Sequence, residues 1–466
     1  MSILSTIKGW FSMLLKSGAK DEFNITPIIS AEVEQLIEYC ARVYQGRPEW
    51  EDAENHIQTI NMAQTISSEM ARLVTLGIGI KFEGSARAKW LQEQVDKIYY
   101  ELRKWVEYGC AYGTVILKPN GDTVKLYVPG QYEITEQNGG QITGVVFHNS
   151  AYDEQAETYY ERLEYHRFEN GVYVISNKCF SGSSPNGCNE PVDIKLTPWA
   201  NFLEEARILN VDKPLFAPLR TPHANNLDHS CPVTLPIFSD ALEELRDLDV
   251  AYSRNAKEIE DSKRTVLLDS DTLLPSGGKV TNNPHNWEAQ RKSLGLPDMV
   301  KNVRGDGQKM FYQEINPTLN TEIRIKGINN LLSLIGFKGG FSNGHFVLDQ
   351  KTGRMTAREV ESDDARTIQT VKDHRDQLEC CVKDLAYAMS KIADLYKLAP
   401  SGTYEIIFDF GDITYNRDED RARYWGYVVA GRFPFWRFLA KYEGYTEKDA
   451  KEIEREAEPK TQTLFQ

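Results

Sequence analysis

"PIFSDALEELRDLDVAYSRNAKEIEDSK", residues 236–263, sets Phe238, Leu242, Leu245, Leu248, Tyr252 and Ile259 along one narrow apolar seam. Asp240, Glu243, Glu244, Asp247, Lys257, Glu258 and Glu260 crowd the other faces. A single stripe on a heavily charged helix suits packing against other helices in a bundle or ring. A compact insertion follows, from about Thr265 to Ile315, opening on "RTVLLDS", passing the turn "PSGGK" and closing on "QKMFYQEI". Asn316 and Pro317 then form a good N-cap and N1 pair. Leu319, Ile323, Ile328, Leu331, Leu332 and Ile335 carry the new helix until Gly336 ends it. The pattern predicts two antiparallel helices with a small β-containing insert at their far tip.

Beyond the second helix, a stretch rich in Gly and Phe, "GFKGGFSNGHFVLDQKTGR" (336–354), runs into a long helical rod. Thr356 and Glu359 fit a capping box, and Val371, Leu378, Val382, Leu385, Met389, Ile392 and Tyr396 keep near-heptad spacing to about Leu398. Upstream, three helical stretches are predicted: one after Ser30, one over about Ile60 to Leu76, and one carrying Leu91 to Val106. From about Val115 the period changes to two. Asn120-Gly121, Asn138-Gly139 and Asn170-Gly171 separate the alternating runs, and Asn-Gly is the preferred pair of a two-residue type I′ hairpin. An antiparallel meander over 113–197 follows. Residues 198–234, rich in Pro and His, read as loop. "YEIIFDF" (404–410) reads as a buried strand, and the C-terminus as helices, with Thr446 and Asp449 as a second cap. The fold class is α+β.

The chain has 466 residues, 41% of them hydrophobic and 26% charged, a globular composition with material for several compact units. Its net charge of −14 argues against a surface built to grip nucleic acid, which usually needs a basic patch. The seven cysteines are odd in number and scattered, without a CxxC pair, and read as thiols of a reducing compartment. No run reaches the roughly 20 apolar residues that span a bilayer. The N-terminal "MSILSTIKGWFSMLLKSGAK" reads as an amphipathic arm that packs on protein.

One GxSxG occurs, Gly340–Gly344, but it does not follow a predicted strand as a nucleophile elbow would, and the chain has no HExxH or GxxxxGK[ST]. Asp269 with Asp271, and Asp409 with Asp412, are acid pairs of the kind that arise by chance among 68 acidic residues. His223, His229 and His345 have no partner at ligand spacing. Cys179 and Cys188 make a poor zinc site. Neither catalytic nor metal residues are predicted, and no cofactor.

"SSEMARLVTLGIGIKFEG" (67–84) followed by "WVEYGCAYGTVILKPNGD" (105–122), "TAREVES" (356–362, with Arg358 where Thr is more usual) and the C-terminal stretch 417–458 carry a resemblance. In this order and spacing the chain resembles, over nearly its full length, the portal protein of tailed bacteriophages. The type is that of long-tailed phages of Gram-positive hosts. The resemblance implies a portal-like fold: N-terminal arm 1–25, wing 26–235 and 355–412, stem helices 236–264 and 316–336, clip 265–315, tunnel loop 337–354 and crown 413–466. It implies a homo-oligomeric ring, usually of twelve, at one capsid vertex of the virion, assembled in the cytoplasm of the infected bacterium. Such a ring is a channel for packaging and ejecting double-stranded DNA. It docks the terminase large subunit, then a head-completion adaptor, and meets major capsid and scaffolding proteins, with no membrane partner. On that pattern Gly339, Gly340 and Gly344 let the tunnel loop yield, Phe341, His345 and Phe346 line the constriction, and Lys338, Lys351 and Arg354 touch phosphates. Leu242, Leu245, Leu248, Tyr252, Leu331 and Ile335 would form the stem interface between subunits. An acidic channel wall would repel DNA and let it slide. Two other readings compete: a carbohydrate-active or glycan-binding protein, from the meander and the aromatic richness, and another ring-forming virion protein.

Overall fold

Local spacing decides most helices here, whereas several strands find partners far away in sequence. The computed structural model describes residues 22–52, 56–121, 123–184, 187–261, 265–269, 299–303, 312–315, 321–348, 365–411, 417–430, 432–443 and 445–457. The chain divides into two compact units, Met1–Thr75 with Ile80–Phe408, and Leu76–Gly79 with Asp409–Gln466. The architecture is mixed α and β, with mostly antiparallel sheets.

The first unit opens with helices α1 (Ala31–Tyr44) and α2 (Met62–Val74), then strand β1 (Gly79–Gly84). The third helical stretch is two helices, α3 (Ala86–Ile98) and α4 (Leu102–Tyr112), joined by a 3-10 turn. Strands β2 (Thr114–Asn120), β3 (Thr123–Tyr127), β4 (Tyr132–Asn138), β5 (Gln141–Asp153), β6 (Thr158–Glu169), β7 (Val172–Gly182) and β8 (Glu190–Val192) follow.

The expected single meander is two sheets. β2 and β3 join β10 (Ala217–Arg220) in the order β10-β2-β3, while β4 to β8 run consecutively and β9 (Glu205–Ile208) pairs with β7. The region predicted as loop thus supplies one strand to each sheet. Four-residue strands are too short to show a period, which is why the pattern hid them. Asn170 and Gly171 are the two central residues of their hairpin, both with positive φ, as type I′ requires. At the β4–β5 turn the centre is Gly139-Gly140, one residue later than the Asn-Gly reading, because Asn138 still pairs with Gln141.

Helix α5 (Leu242–Asp261), strands β11 (Thr265–Asp269), β12 (Met299–Val303) and β13 (Tyr312–Ile315), and helix α6 (Thr321–Lys338) form the helix–insert–helix. β11 pairs with β12 in parallel and with β13 antiparallel. Helix α7 (Ala365–Leu395) buries Val371, Leu378, Val382, Leu385 and Met389 of its predicted stripe, and Cys381 beside them. Tyr396 lies past the helix end and is 66% exposed, so it leaves the stripe. Among the described residues strand β14 (Tyr404–Asp409) pairs only with β1. It is not the buried strand expected: half-buried and exposed positions alternate along it, as in a strand covered on one side.

Two buried arginines bind helix ends. Arg375 of α7 donates from Nε to the Val74 carbonyl at 3.1 Å and from Nη2 to that of Leu73 at 3.2 Å, occupying the C-terminus of α2. Arg87 of α3, 1% exposed, donates to the carbonyls of Ser390 (2.5 Å), Ala399 (3.0 Å) and Pro400 (3.0 Å) and pairs with Asp394. The last carbonyls of α2 have no partner within the helix, and at α7 one guanidinium supplies several donors at once, joining Ser390 to two carbonyls past the helix end.

The second unit holds α8 (Arg417–Val429), α9 (Phe435–Phe438), a π-turn over Leu439–Glu443 and α10 (Glu447–Ala457). Phe438, Leu439, Tyr442 and Ala450 are its buried centre. Thr446 caps α10 as predicted: its Oγ1 accepts from the Asp449 amide at 3.3 Å and donates to Asp449 Oδ2 at 2.7 Å.

Candidate functional site

Helices α5 and α6 lie antiparallel. Lys338, at the end of α6, pairs with Glu244 near the start of α5 at 2.5 Å and donates to the Asp240 carbonyl at 2.8 Å. At the opposite end Arg324 pairs with Glu258. Asp249 of α5 accepts from Trp50 Nε1 (2.8 Å) and the Ile60 amide (3.0 Å), so the segment before α2 straps the root of the pair.

The apolar seam has two fates. Leu242, Leu245 and Leu248 are buried within the chain, with Ile328, Leu332 and Ile335 of α6. Of the six residues expected at an interface between copies, these three leucines and Ile335 therefore pack inside the chain. Leu331 is half-buried, and Tyr252 is 44% exposed. Past Tyr252 the seam emerges, with Ile259 52% exposed. On α6, Ile323 (71%), Leu334 (43%) and Phe337 (41%) are exposed and share a face opposite the buried set. That two-faced pattern was present in the sequence, as Ile323, Leu334 and Phe337 are offset by nearly whole turns from one another.

The Gly- and Phe-rich stretch proves to be an anchor first and a loop only afterwards. Helix α6 runs two residues past Gly336 and ends in a Schellman motif. The Phe341 amide donates to the Gly336 carbonyl (2.9 Å) and that of Gly340 to Phe337 (3.2 Å), with Gly340 at φ +88°. Phe341 is 0% exposed, in ring contact with His345 (4.8 Å) and Phe346 (4.9 Å). It cannot line an opening while packed this way, because the apolar ring that follows such a helix end folds back on the helix. Nor is Lys338 available to phosphate, being paired with Glu244. Gly339 lies against Ile66, and Gly340 against Thr370. Gly344 (φ +80°) has room for a side chain, and it, His345 and Phe346 are half-buried. Lys351, Arg354 and the Thr356–Glu359 cap lie outside the described residues.

The first part of this segment is tied to α7. The Ser342 amide donates to Thr367 Oγ1 (2.8 Å) and the Thr367 amide to Ser342 Oγ (3.2 Å), a reciprocal pair in which both residues are buried. Thr370 Oγ1 donates to the Gly340 carbonyl (2.8 Å). Arg366 donates to that of Phe337 (3.0 Å) and lies 3.7 Å from its ring centroid. His345 Nε2 is 3.4 Å from Glu69 of α2. The Arg72 hydrogen bonds, chiefly, hold the Glu69 carboxyl below its ordinary value despite partial burial.

A second polar cluster escaped the sequence reading. Glu164 of β6 accepts from Lys118 of β2, Arg162 (2.9 Å), Asn149 (3.3 Å) and His166 (2.8 Å). His166 in turn meets the Tyr173 hydroxyl at 2.8 Å. Burial alone raises the Glu164 pKa, but Lys118, His166 and Arg162 together hold it well below the usual range. Burial pushes Lys118 down to about 8. All these side chains are buried, so the cluster joins the two sheets and offers no open face. All seven cysteines are thiols. Among the described residues no group of three or more His, Cys, Asp or Glu could hold a metal ion, and no helix is long and apolar enough to cross a membrane. No family model matches the chain, and no curated protein matches it.

Proposed function

We propose that this chain is a portal-type subunit. Copies close head to tail into a ring, about twelve to a turn, that serves as the channel for double-stranded DNA at a capsid vertex. One observation carries the reading: an antiparallel helix pair, tied at its root to the rest of the subunit and bearing a three-stranded insert, leaves apolar side chains exposed at Tyr252 on α5 and at Ile323 and Leu334 on α6. Two different patches on one subunit suit the heterologous contacts that close a ring. The insert at the far tip is the natural docking point for a packaging motor and then an adaptor. The role is mechanical, with the acidic chain repelling the duplex it surrounds.

Electron microscopy and mass measurement of the purified protein test this. Rings with an axial hole that admits duplex DNA are expected. The buried seam residues are the wrong targets for blocking assembly, since charging Leu245 would unfold the subunit. Ile323→Asp or Leu334→Asp should leave a folded subunit and abolish rings. Particles without an axial opening, or rings that survive both substitutions, would overturn the proposal.

A further inference from the structure

His374 of α7 is 5% exposed, and its ring meets that of His223, in the segment between β10 and α5, at 6.1 Å between centroids. Its Nδ1 lies 2.9 Å from the Thr370 carbonyl, an acceptor, so the proton sits on Nδ1 and Nε2 keeps a lone pair. That Nε2, and Nδ1 of His223, are enclosed without a hydrogen-bond partner. The charged groups acting on the pair are Asp240, in the turn just before α5, and Arg366 and Asp373 on α7. Each structural piece is tied in nearby. Thr221 Oγ1 donates to the Leu235 carbonyl (3.0 Å) and closes the segment carrying His223; Lys338 holds the Asp240 carbonyl; Thr370 holds Gly340.

A neutral pair leaves two polar atoms unfilled. A proton on either ring instead places a charge in an enclosed seam beside a second imidazole, which costs far more. We propose that the His223–His374 contact is an acid-sensitive joint, whose protonation loosens α7 from the 221–235 segment and from the root of the helix pair. The inference is independent of the ring reading.

Burial holds both imidazoles below their ordinary value, His374 down to about 4, with the Thr370 carbonyl opposing and His223 adding to the fall. The sign follows. The folded-state pKa lies below the unfolded one, so the stabilisation is complete above about pH 6.5 and drains away as pH falls toward about 4. At about pH 4.5 the His374 contribution is a loss on the order of 100-fold in the folded-to-unfolded ratio.

Hydrogen–deuterium exchange at the histidine C2 position, followed by mass spectrometry of the intact wild-type chain across pH, reads each imidazole directly. A His374 midpoint below about 5 is expected, and one at about 6 or higher overturns the proposal. Urea unfolding at neutral pH and at about 4.5 then compares wild type with His374→Asn, which keeps a donor for Thr370 but cannot gain a proton. Wild type should lose on the order of 100-fold more of its folding constant than the variant, and equal losses overturn the proposal. His223→Gln is read the same way. Backbone amide exchange, corrected for intrinsic rates, should rise on acidification in peptides covering 221–235 and 366–376 ahead of the rest of α7. A uniform rise along α7 refutes a local joint.

Discussion

Replacing Arg87 by Met removes donors from the Ser390, Ala399 and Pro400 carbonyls and the partner of Asp394, while roughly keeping the volume of the stem. Charge-assisted hydrogen bonds contribute about 1.5–3 kcal/mol each when one partner is lost in the interior. Two effects pull the total down: the Asp394 side chain is 45% exposed, so water takes over its charge, and the desolvation of a buried guanidinium is relieved. A net loss of about 3–5 kcal/mol remains. Urea unfolding of the purified subunit, followed by circular dichroism, should show the midpoint fall with unchanged slope. Arg87→Lys should lose more than about half as much, since one ammonium cannot reach acceptors spread around a planar fork. Asp394→Asn should cost less than about 1 kcal/mol. If Arg87→Met stays within about 1 kcal/mol of wild type, or Arg87→Lys matches wild type, then this arginine does not hold the helix end.

Gly113→Ala, at φ +80°, would push a Cβ to 2.0 Å from the Thr234 carbonyl oxygen and should cost more than about 3 kcal/mol. Gly121→Ala, at φ +67° with nothing within 4 Å, should cost only about 1 kcal/mol, and similar thermal shifts at the two sites would refute the distinction. Thr367→Val strands the buried Ser342 amide and should cost about 1–3 kcal/mol, with Thr367→Ser recovering most of it in the same unfolding assay. His148 lies 3.1 Å from both Glu133 and Glu161, whose hydrogen bonds and charges outweigh burial and lift its pKa to about 9. Its folded pKa lies above the unfolded value, so its contribution of at most about 3 kcal/mol is full below about pH 6.5 and is lost as pH rises through about 9. His148→Gln should flatten stability across that window, and an unchanged alkaline slope would exclude the ion-pair account.

Local chemistry was legible, distant pairing much less so. The helix–insert–helix could be read because a seam at helical spacing, a strand-like run and an Asn-Pro start each carry their own signature. The Asn170-Gly171 turn was legible for the same reason. The pairing of β14 with β1 crosses most of the first unit, and no window of residues contains it. Glu164 and Lys118 looked like ordinary charged strand positions; burial between two sheets is a tertiary fact. The residues of the α5–α6 pair were recognised as apolar, but which half of the seam the chain buries within itself depends on the strap from Trp50 and on α6. Phe341 was misplaced because a Gly-rich stretch suggests a soft loop, whereas Gly340 uses its left-handed backbone to fold the chain back onto a helix.

The arginine-bound helix ends also restrict how this protein can change length. Adding one residue between Arg375 and Ser390 would turn the far end of the rod by about 100° and advance it about 1.5 Å, carrying the Ser390 carbonyl off the Arg87 guanidinium. Helix α7 is therefore gauged at two points along its length, and even a whole-turn insertion between them would advance Asp394, Ala399 and Pro400 by about 5.4 Å, away from Arg87. Changes in length along the rod are therefore costly.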